Sequence, residues 1–117
     1  MAIKKILTEP NKLLRQISQP VEKVVESEKE LMNDMLETMY AANGIGLAAI
    51  QIGVPKRIIV MDLSKEENKK TPMYFVNPII KKKNNQNSTY EEGCLSVPNQ
   101  FAEIDRPNCC EVEYLDY

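Results

Sequence analysis

Gly44-Ile45-Gly46-Leu47-Ala48-Ala49-Ile50-Gln51 and Glu92-Gly93-Cys94-Leu95-Ser96 are the two stretches on which the reading of this chain turns. In the first, Gly44 and Gly46 let backbone come close to whatever binds. Leu47-Ala48-Ala49 is small and apolar, and Gln51 is a neutral amide that both donates and accepts hydrogen bonds. Such a segment suits the lining of a site for a small uncharged carbonyl group. It is equally a glycine-rich helix-to-strand turn with Gln51 capping a backbone group, since a lone Gly-x-Gly is weak evidence. In the second stretch a thiol follows two carboxylates and sits between a glycine and a leucine. That thiol can ligate a metal, act as a nucleophile, or fill a small buried space. A nucleophilic cysteine needs a base or cation to generate thiolate. The chain contains no histidine, which leaves only lysine or arginine for that task.

Working outward, Ser27 with Glu30 three residues on reads as a capping box, predicting a helix from Ser27 to about Ala42. Leu31, Met35, Leu36 and Met39 recur at helical spacing as one apolar stripe, with Lys29, Asn33, Asp34 and Glu37 on the other side. Asn43-Gly44 offers the left-handed conformation that ends a helix. A shorter helical piece is expected over Asn11 to Ile17, stopped by Pro20. Beyond the glycine segment, Arg57 to Leu63 is rich in β-branched residues and reads as a strand, followed by a polar turn from Ser64 to Lys70. Met73 to Lys83 reads as a second strand, bent or at an edge near Pro78. Lys81 to Lys83 is either an anion patch or, more plainly, the solvated end of a hairpin leading into Asn84-Asn85-Gln86-Asn87. At the far end Cys110, Val112 and Tyr114 alternate with Glu111, Glu113 and Leu115, the pattern of a half-buried strand.

A length of 117 residues fits one domain, and 43% apolar with 27% charged residues is ordinary for a globular protein. The net charge of −2 provides no basic face for nucleic acid. No apolar run is long enough for a secretory leader or a membrane span, so the expected location is the cytoplasm. Cys94, Cys109 and Cys110 form neither an even framework nor a Cys-x-x-Cys pair, which points to free thiols in a reducing compartment.

Taken together, in this order and separation, the two stretches resemble the first two signatures of the peptide deformylase family, Gly-x-Gly-Leu-Ala-Ala-x-Gln and Glu-Gly-Cys-Leu-Ser. The helix before the first signature, the Arg57 to Val60 strand, Asn77-Pro78, Arg106 and Tyr114-Leu115-Asp116 are also family-like. The resemblance implies an α+β fold, with N-terminal helices packed on mixed or antiparallel β-structure. It implies a hydrolase that removes the formyl group from the N-terminal methionine of nascent bacterial or organellar chains, using Fe²⁺, or Zn²⁺, Ni²⁺ or Co²⁺. By the same resemblance Cys94 is a metal ligand, and the Gln51 amide and the Leu95 backbone N–H donate to the developing oxyanion. Gly46 holds substrate backbone, Ile45 walls the methionine pocket, and Glu92 orders the surrounding loop.

The family's third signature, His-Glu-x-x-His on a helix, has no counterpart in this sequence. On a helix that pattern presents two imidazoles on one face with a proton-shuttling glutamate between them. Residues 1–117 are therefore expected to form a single deformylase-like unit, incomplete at its C-terminal side, with one of the metal ligands and without stable metal binding or catalysis alone. Removal of the histidine helix is expected to expose apolar strand faces, and so to favour self-association or capture of a complementing C-terminal polypeptide. The alternative from another class is a non-catalytic module that binds peptide N-termini or a partner. Nothing in the spacing of Glu91, Glu92, Asp105 or Asp116 sets two of them beside Cys94.

Overall fold

The computed structural model describes residues 3–64, 70–83, 87–107 and 110–116, with main chain alone at 82–83, 87–91, 99–100, 105 and 107. Its one α-helix among these residues, α1, runs Glu26–Ala41. The start differs from the expected Ser27 cap. Val25 is the N-cap residue, and its N–H donates to the Glu28 carboxylate at 3.3 Å. Ser27 Oγ donates to the other oxygen of Glu28 at 3.0 Å. Glu28 rather than Glu30 takes the role because it alone has a tertiary partner, Lys56 Nζ at 3.2 Å, and is buried beneath the helix start. The apolar face is broader than the expected stripe. Met32, Met35, Leu36 and Met39 are buried and Leu31 is half-buried. Thr38 joins them because its hydroxyl is satisfied: it donates to the Asp34 carbonyl at 2.8 Å and accepts the Lys4 N–H at 2.8 Å. The helix ends as Asn43-Gly44 predicted, with Asn43 at φ 58° and the Gly44 N–H on the Met39 carbonyl at 2.9 Å.

The main sheet joins β1 (Gly46–Ala48), β2 (Ile58–Met61), β3 (Met73–Lys83) and β6 (Cys110–Leu115) in the order β1-β2-β3-β6, every pair antiparallel. Strands β4 (Asn87–Cys94) and β5 (Val97–Pro107) form a separate hairpin. Leu47 opposite Val60 and Ile58 opposite Val76 put four buried side chains on one sheet face. Helix α1 packs on β1 and β2 there, so the methionine face and the β-branched face close one core. β3 is bent where Pro78 predicted: Asn77 has φ 52° and the register shifts between Val76 and Ile79. β3 runs between β2 and β6, so the proline sits at a bulge and not at a sheet edge.

Two further expectations change. The Asn11 to Ile17 helix shrinks to a 3₁₀ turn over Lys12–Arg15, capped by Asn11 Oδ1 on the Leu13 N–H at 2.9 Å. None of its side chains is fully buried; Leu13 and Leu14 are half-buried, and the turn packs against residues Ala49–Ile52. β6 is a strand, but every residue of it is exposed instead of alternately buried; it pairs with β3, and its Tyr114 ring rests on Phe75 with centroids 4.4 Å apart. The lysine run is solvated as expected at Lys81, which pairs with Glu113 across the β3–β6 ladder at 2.9 Å. Residues 65–69, 84–86 and Cys109, on which the polar turns and the adjacent thiol were expected, lie outside the described residues.

Asp62, just after β2, is a buried hub. Its carboxylate accepts from Tyr40 Oη at 2.6 Å, the Ser64 N–H at 2.9 Å, the Thr71 N–H at 3.0 Å and Thr71 Oγ1 at 3.3 Å. The Tyr40 hydroxyl, then Ser64 and Thr71, hold its carboxyl well below the usual carboxylate range. Burial, and then the same bond, push Tyr40 up. A depressed folded pKa contributes stability that is present above the unfolded carboxylate pKa of about 4 and is lost as pH falls below it. Thermal melts followed by circular dichroism are expected to show a midpoint that declines on acidification from pH 6 to pH 3. Asp62→Asn is expected to start lower at pH 6 and to decline less, because its amide N–H₂ faces donors. Equal slopes for the two proteins would refute this assignment.

Candidate active site

The two quoted stretches meet across a cleft of about 470 Å³. Asn43, Gly44, Ile45, Gly46 and Gln51 line one wall, and Gly93, Cys94, Leu95, Val97, Pro98 and Phe101 the other. The N-terminal segment stitches the walls together: the Leu7 N–H donates to the Gln51 carbonyl at 2.6 Å and the Glu9 N–H to the Ser96 carbonyl at 2.8 Å. Gly44 makes the contact between walls possible. A Cβ there would lie 2.8 Å from Leu95 Cδ1, so any larger residue has to displace Leu95.

On the first wall, the Ile45 carbonyl accepts the Asp62 N–H at 2.9 Å and so faces β2. Alternation along an antiparallel ladder then turns the Gly46 N–H and C=O the other way, toward the edge of β1 on which no strand pairs among the described residues. The Ile45 side chain is exposed. Gln51 lies in a 3₁₀ turn, Ala49–Ile52, closed by Gly53 at φ 89°, a conformation that costs glycine little. Its amide is held at both ends. Oε1 accepts the Ala48 N–H at 3.0 Å, and Nε2 donates to Ser96 Oγ at 3.0 Å while lying 3.6 Å from Cys94 Sγ.

On the second wall, the ladder between β4 and β5 shifts register between Gly93 and Cys94, and the free thiol of Cys94 is exposed there. Glu92 stands two residues before Cys94 on β4 and does not line the cleft. Its carboxylate takes Arg106 Nε at 2.6 Å and Nη2 at 2.7 Å, a bidentate pair. The guanidinium hydrogen bonds hold Glu92 below its ordinary pKa, and Arg106 is raised in turn. The fold thus gathers Ile45, Gly46, Gln51, Cys94 and Leu95 in one cleft and leaves Glu92 beside it. Sequence reasoning passed over Ala48 and Ser96, which hold the Gln51 amide. Their one signal was membership of the quoted stretches.

The donor set does not fit a divalent metal. Cys94 brings one sulfur, its near neighbour Gln51 Nε2 is a hydrogen-bond donor with no lone pair free for a metal, and the Glu92 oxygens are taken by Arg106. Among the described residues no three His, Cys, Asp or Glu side chains cluster, whereas a tetrahedral site needs three or four ligands. Asp116 lies elsewhere, beside Pro72, Met73, Tyr74 and Tyr114.

The sequence profile of the polypeptide deformylase family matches residues 3–117. The chain belongs to the peptide deformylase family. It is similar to the peptide deformylase of Pelagibacter ubique, 76% identical over 117 residues that are the whole of this chain and 68% of that relative. It is also similar to the Maricaulis maris peptide deformylase, at 56% identity over 117 residues, again all of this chain and 67% of the relative. In structure it is similar to the Ehrlichia chaffeensis peptide deformylase crystallised with actinonin, with a TM-score of 0.92 at 44% identity, covering 100% of this chain and 70% of that one. The Thermotoga maritima peptide deformylase superposes with a TM-score of 0.92 at 35% identity, over 99% of this chain and 76% of that one. The α+β deformylase fold expected from the signatures is therefore the fold observed. Deformylases are metal-dependent, and among the described residues the cleft has no complete ligand set.

Proposed function

We propose that the cleft receives the N-formyl-methionyl end of a nascent polypeptide, as the substrate-binding part of a deformylase in a bacterial-type cytoplasm. The observation that carries this reading is the fixed polarity of the Gln51 amide. With Oε1 committed to the Ala48 N–H, the amide can present only N–H to the cleft, which suits a formyl oxygen and not a free ammonium group. Gly46 takes the substrate main chain as an added strand on that edge of β1. Ile45 flanks the methionine side chain. Leu95 contributes its backbone N–H beside Gln51, and such donors are commonly worth about 3 to 4 kcal/mol each on a developing oxyanion. The Glu92–Arg106 pair steadies the strand that delivers Cys94.

Hydrolysis adds water across the formyl amide and releases formate and a free amino terminus. In the family this chemistry uses Fe²⁺, Zn²⁺, Ni²⁺ or Co²⁺, and the residues here account for binding and carbonyl polarisation alone. Exposed apolar side chains on β3 and β6, including Ile79, Ile80, Val112 and Leu115, support association with a second copy or a complementing polypeptide. Among the described residues no helix is long and apolar enough to cross a membrane.

Calorimetric titration with a formyl-methionyl tripeptide and its free-amine counterpart tests the reading. The formyl peptide is expected to bind about 10-fold tighter, equivalent to ~1.4 kcal/mol, and Gln51→Ala to abolish the difference. Equal affinities in the unaltered chain would sink it.

A further inference from the structure

We infer that Ser96 is a positioning residue that sets the angle at which the Gln51 amide faces the cleft. This rests on the reading of Gln51 as the group that meets the formyl oxygen. The terminal torsion of glutamine joins an sp³ to an sp² carbon, and its energy profile is broad, so rotamer preference leaves the amide plane undetermined. Something outside the side chain has to choose it. The Ala48 N–H, 3.0 Å from Oε1, decides which end is oxygen. It still permits the plane to swing about the Oε1 contact.

Ser96 Oγ removes that freedom by accepting from Nε2 at 3.0 Å. Because the two N–H bonds of an amide are coplanar and diverge, committing one to Ser96 fixes where the other points. Cys94 Sγ lies 3.6 Å from the same nitrogen, on the cleft. Ser96 is suited to hold a neighbour still because it is itself held: it is buried, at 4% exposure, and its carbonyl is tied to the Glu9 N–H at 2.8 Å. That tie uses backbone, so it survives loss of the hydroxyl. The N-terminal segment, Ser96 and Gln51 thus form one chain of contacts from the protein body to the amide.

The test uses the 117-residue chain labelled with ¹⁵N, read by the Gln51 side-chain amide resonances and by affinity for the formyl-methionyl and free-amine tripeptides. Ser96→Ala is expected to move the paired Gln51 amide protons toward the positions of a solvated glutamine. It is expected to weaken formyl-peptide binding about 5-fold, the scale of one net hydrogen bond, and to leave the free-amine peptide unchanged. Ser96→Thr, which keeps the hydroxyl, restores both readouts. Ser96→Cys, close in size but a weaker acceptor, falls between and serves if the alanine variant unfolds. In a Gln51→Ala background, Ser96→Ala is expected to have no further effect on peptide affinity. Unmoved Gln51 amide resonances in Ser96→Ala would overturn the inference, as would an equal loss for both peptides or the same loss with Gln51 absent. Moved amide resonances in a chain that never discriminates the two peptides would uphold the positioning role while rejecting the formyl-oxygen reading.

Discussion

Dialysed after exposure to Fe²⁺, Zn²⁺, Ni²⁺ or Co²⁺, the 117-residue polypeptide is expected to retain far less than one equivalent of metal and to turn over a formyl-methionyl peptide no faster than buffer. A full set of protein ligands binds a structural zinc ion with roughly 10 to 16 kcal/mol at neutral pH, and that sum depends on several deprotonated donors converging. Here one exposed thiol stands in for the set, and the chain offers no imidazole at all. The carboxylate nearest to it in sequence, Glu92, would have to abandon two short bonds to Arg106 before it could help. A lone thiolate competes poorly with the hydration of a divalent ion.

The same argument gives the positive arm. A second polypeptide bearing His-Glu-x-x-His supplies the two imidazoles and the proton shuttle, so mixing is expected to produce metal retention and turnover together, both abolished by chelator and by Cys94→Ala. Gains of several orders of magnitude are ordinary once a metal-bound water can ionise near neutral pH. Metal analysis and a formate-release assay on the two samples decide the matter. Stoichiometric metal and chelator-sensitive turnover in the single chain would defeat it. Formyl-peptide binding without turnover in the mixture would favour a module that binds without chemistry.

How much of this was legible before the fold depended on the distance over which each feature is decided. The end of α1 is written in two adjacent residues, Asn43-Gly44, and emerged as expected. Its start was misread because the choice between Glu28 and Glu30 is made by Lys56, far along the chain. The bend in β3 could be anticipated from Pro78, which lacks an N–H, but the two bonds of its neighbour Asn77 to the Val21 main chain depend on another segment. Alternation in Cys110 to Leu115 identified a strand correctly. It reports that the two faces differ in polarity and says nothing of whether anything covers either one. In the cleft, Gln51 and Cys94 were recognisable from chemistry and signature. Ser96 was not, because a serine hydroxyl becomes informative only once its burial and its bond to Nε2 are seen.

Asn77 is where the largest loss of stability from a single exposed-looking polar residue is expected. Its side-chain amide copies a strand partner: Oδ1 accepts the Val21 N–H at 2.7 Å and Nδ2 donates to the Val21 carbonyl at 2.6 Å. Val21 belongs to the core, so those two main-chain groups have little access to water. The Asn77 N–H also donates to the Arg57 carbonyl at 2.8 Å, and the Arg57 guanidinium donates to the Pro78 carbonyl, which ties the bulge to the strand beside it. Alanine would orphan both groups of Val21, at about 1 to 3 kcal/mol each, and would occupy φ 52° at a further cost of about 1 kcal/mol. Asn77→Ala is therefore expected to lower unfolding free energy by about 3 to 7 kcal/mol, a large share of the ~5 to 15 kcal/mol typical of a domain. Glycine separates the two causes, since it deletes the side chain but tolerates the positive φ; Asn77→Gly should be the milder of the two by about 1 kcal/mol. Aspartate keeps an acceptor for the Val21 N–H yet sets an anion against the Val21 carbonyl, so its loss should grow as pH rises through the carboxylate range. Urea unfolding of the three variants measures each step, and an alanine variant within about 1 kcal/mol of the parent would show that water replaces both bonds at little cost.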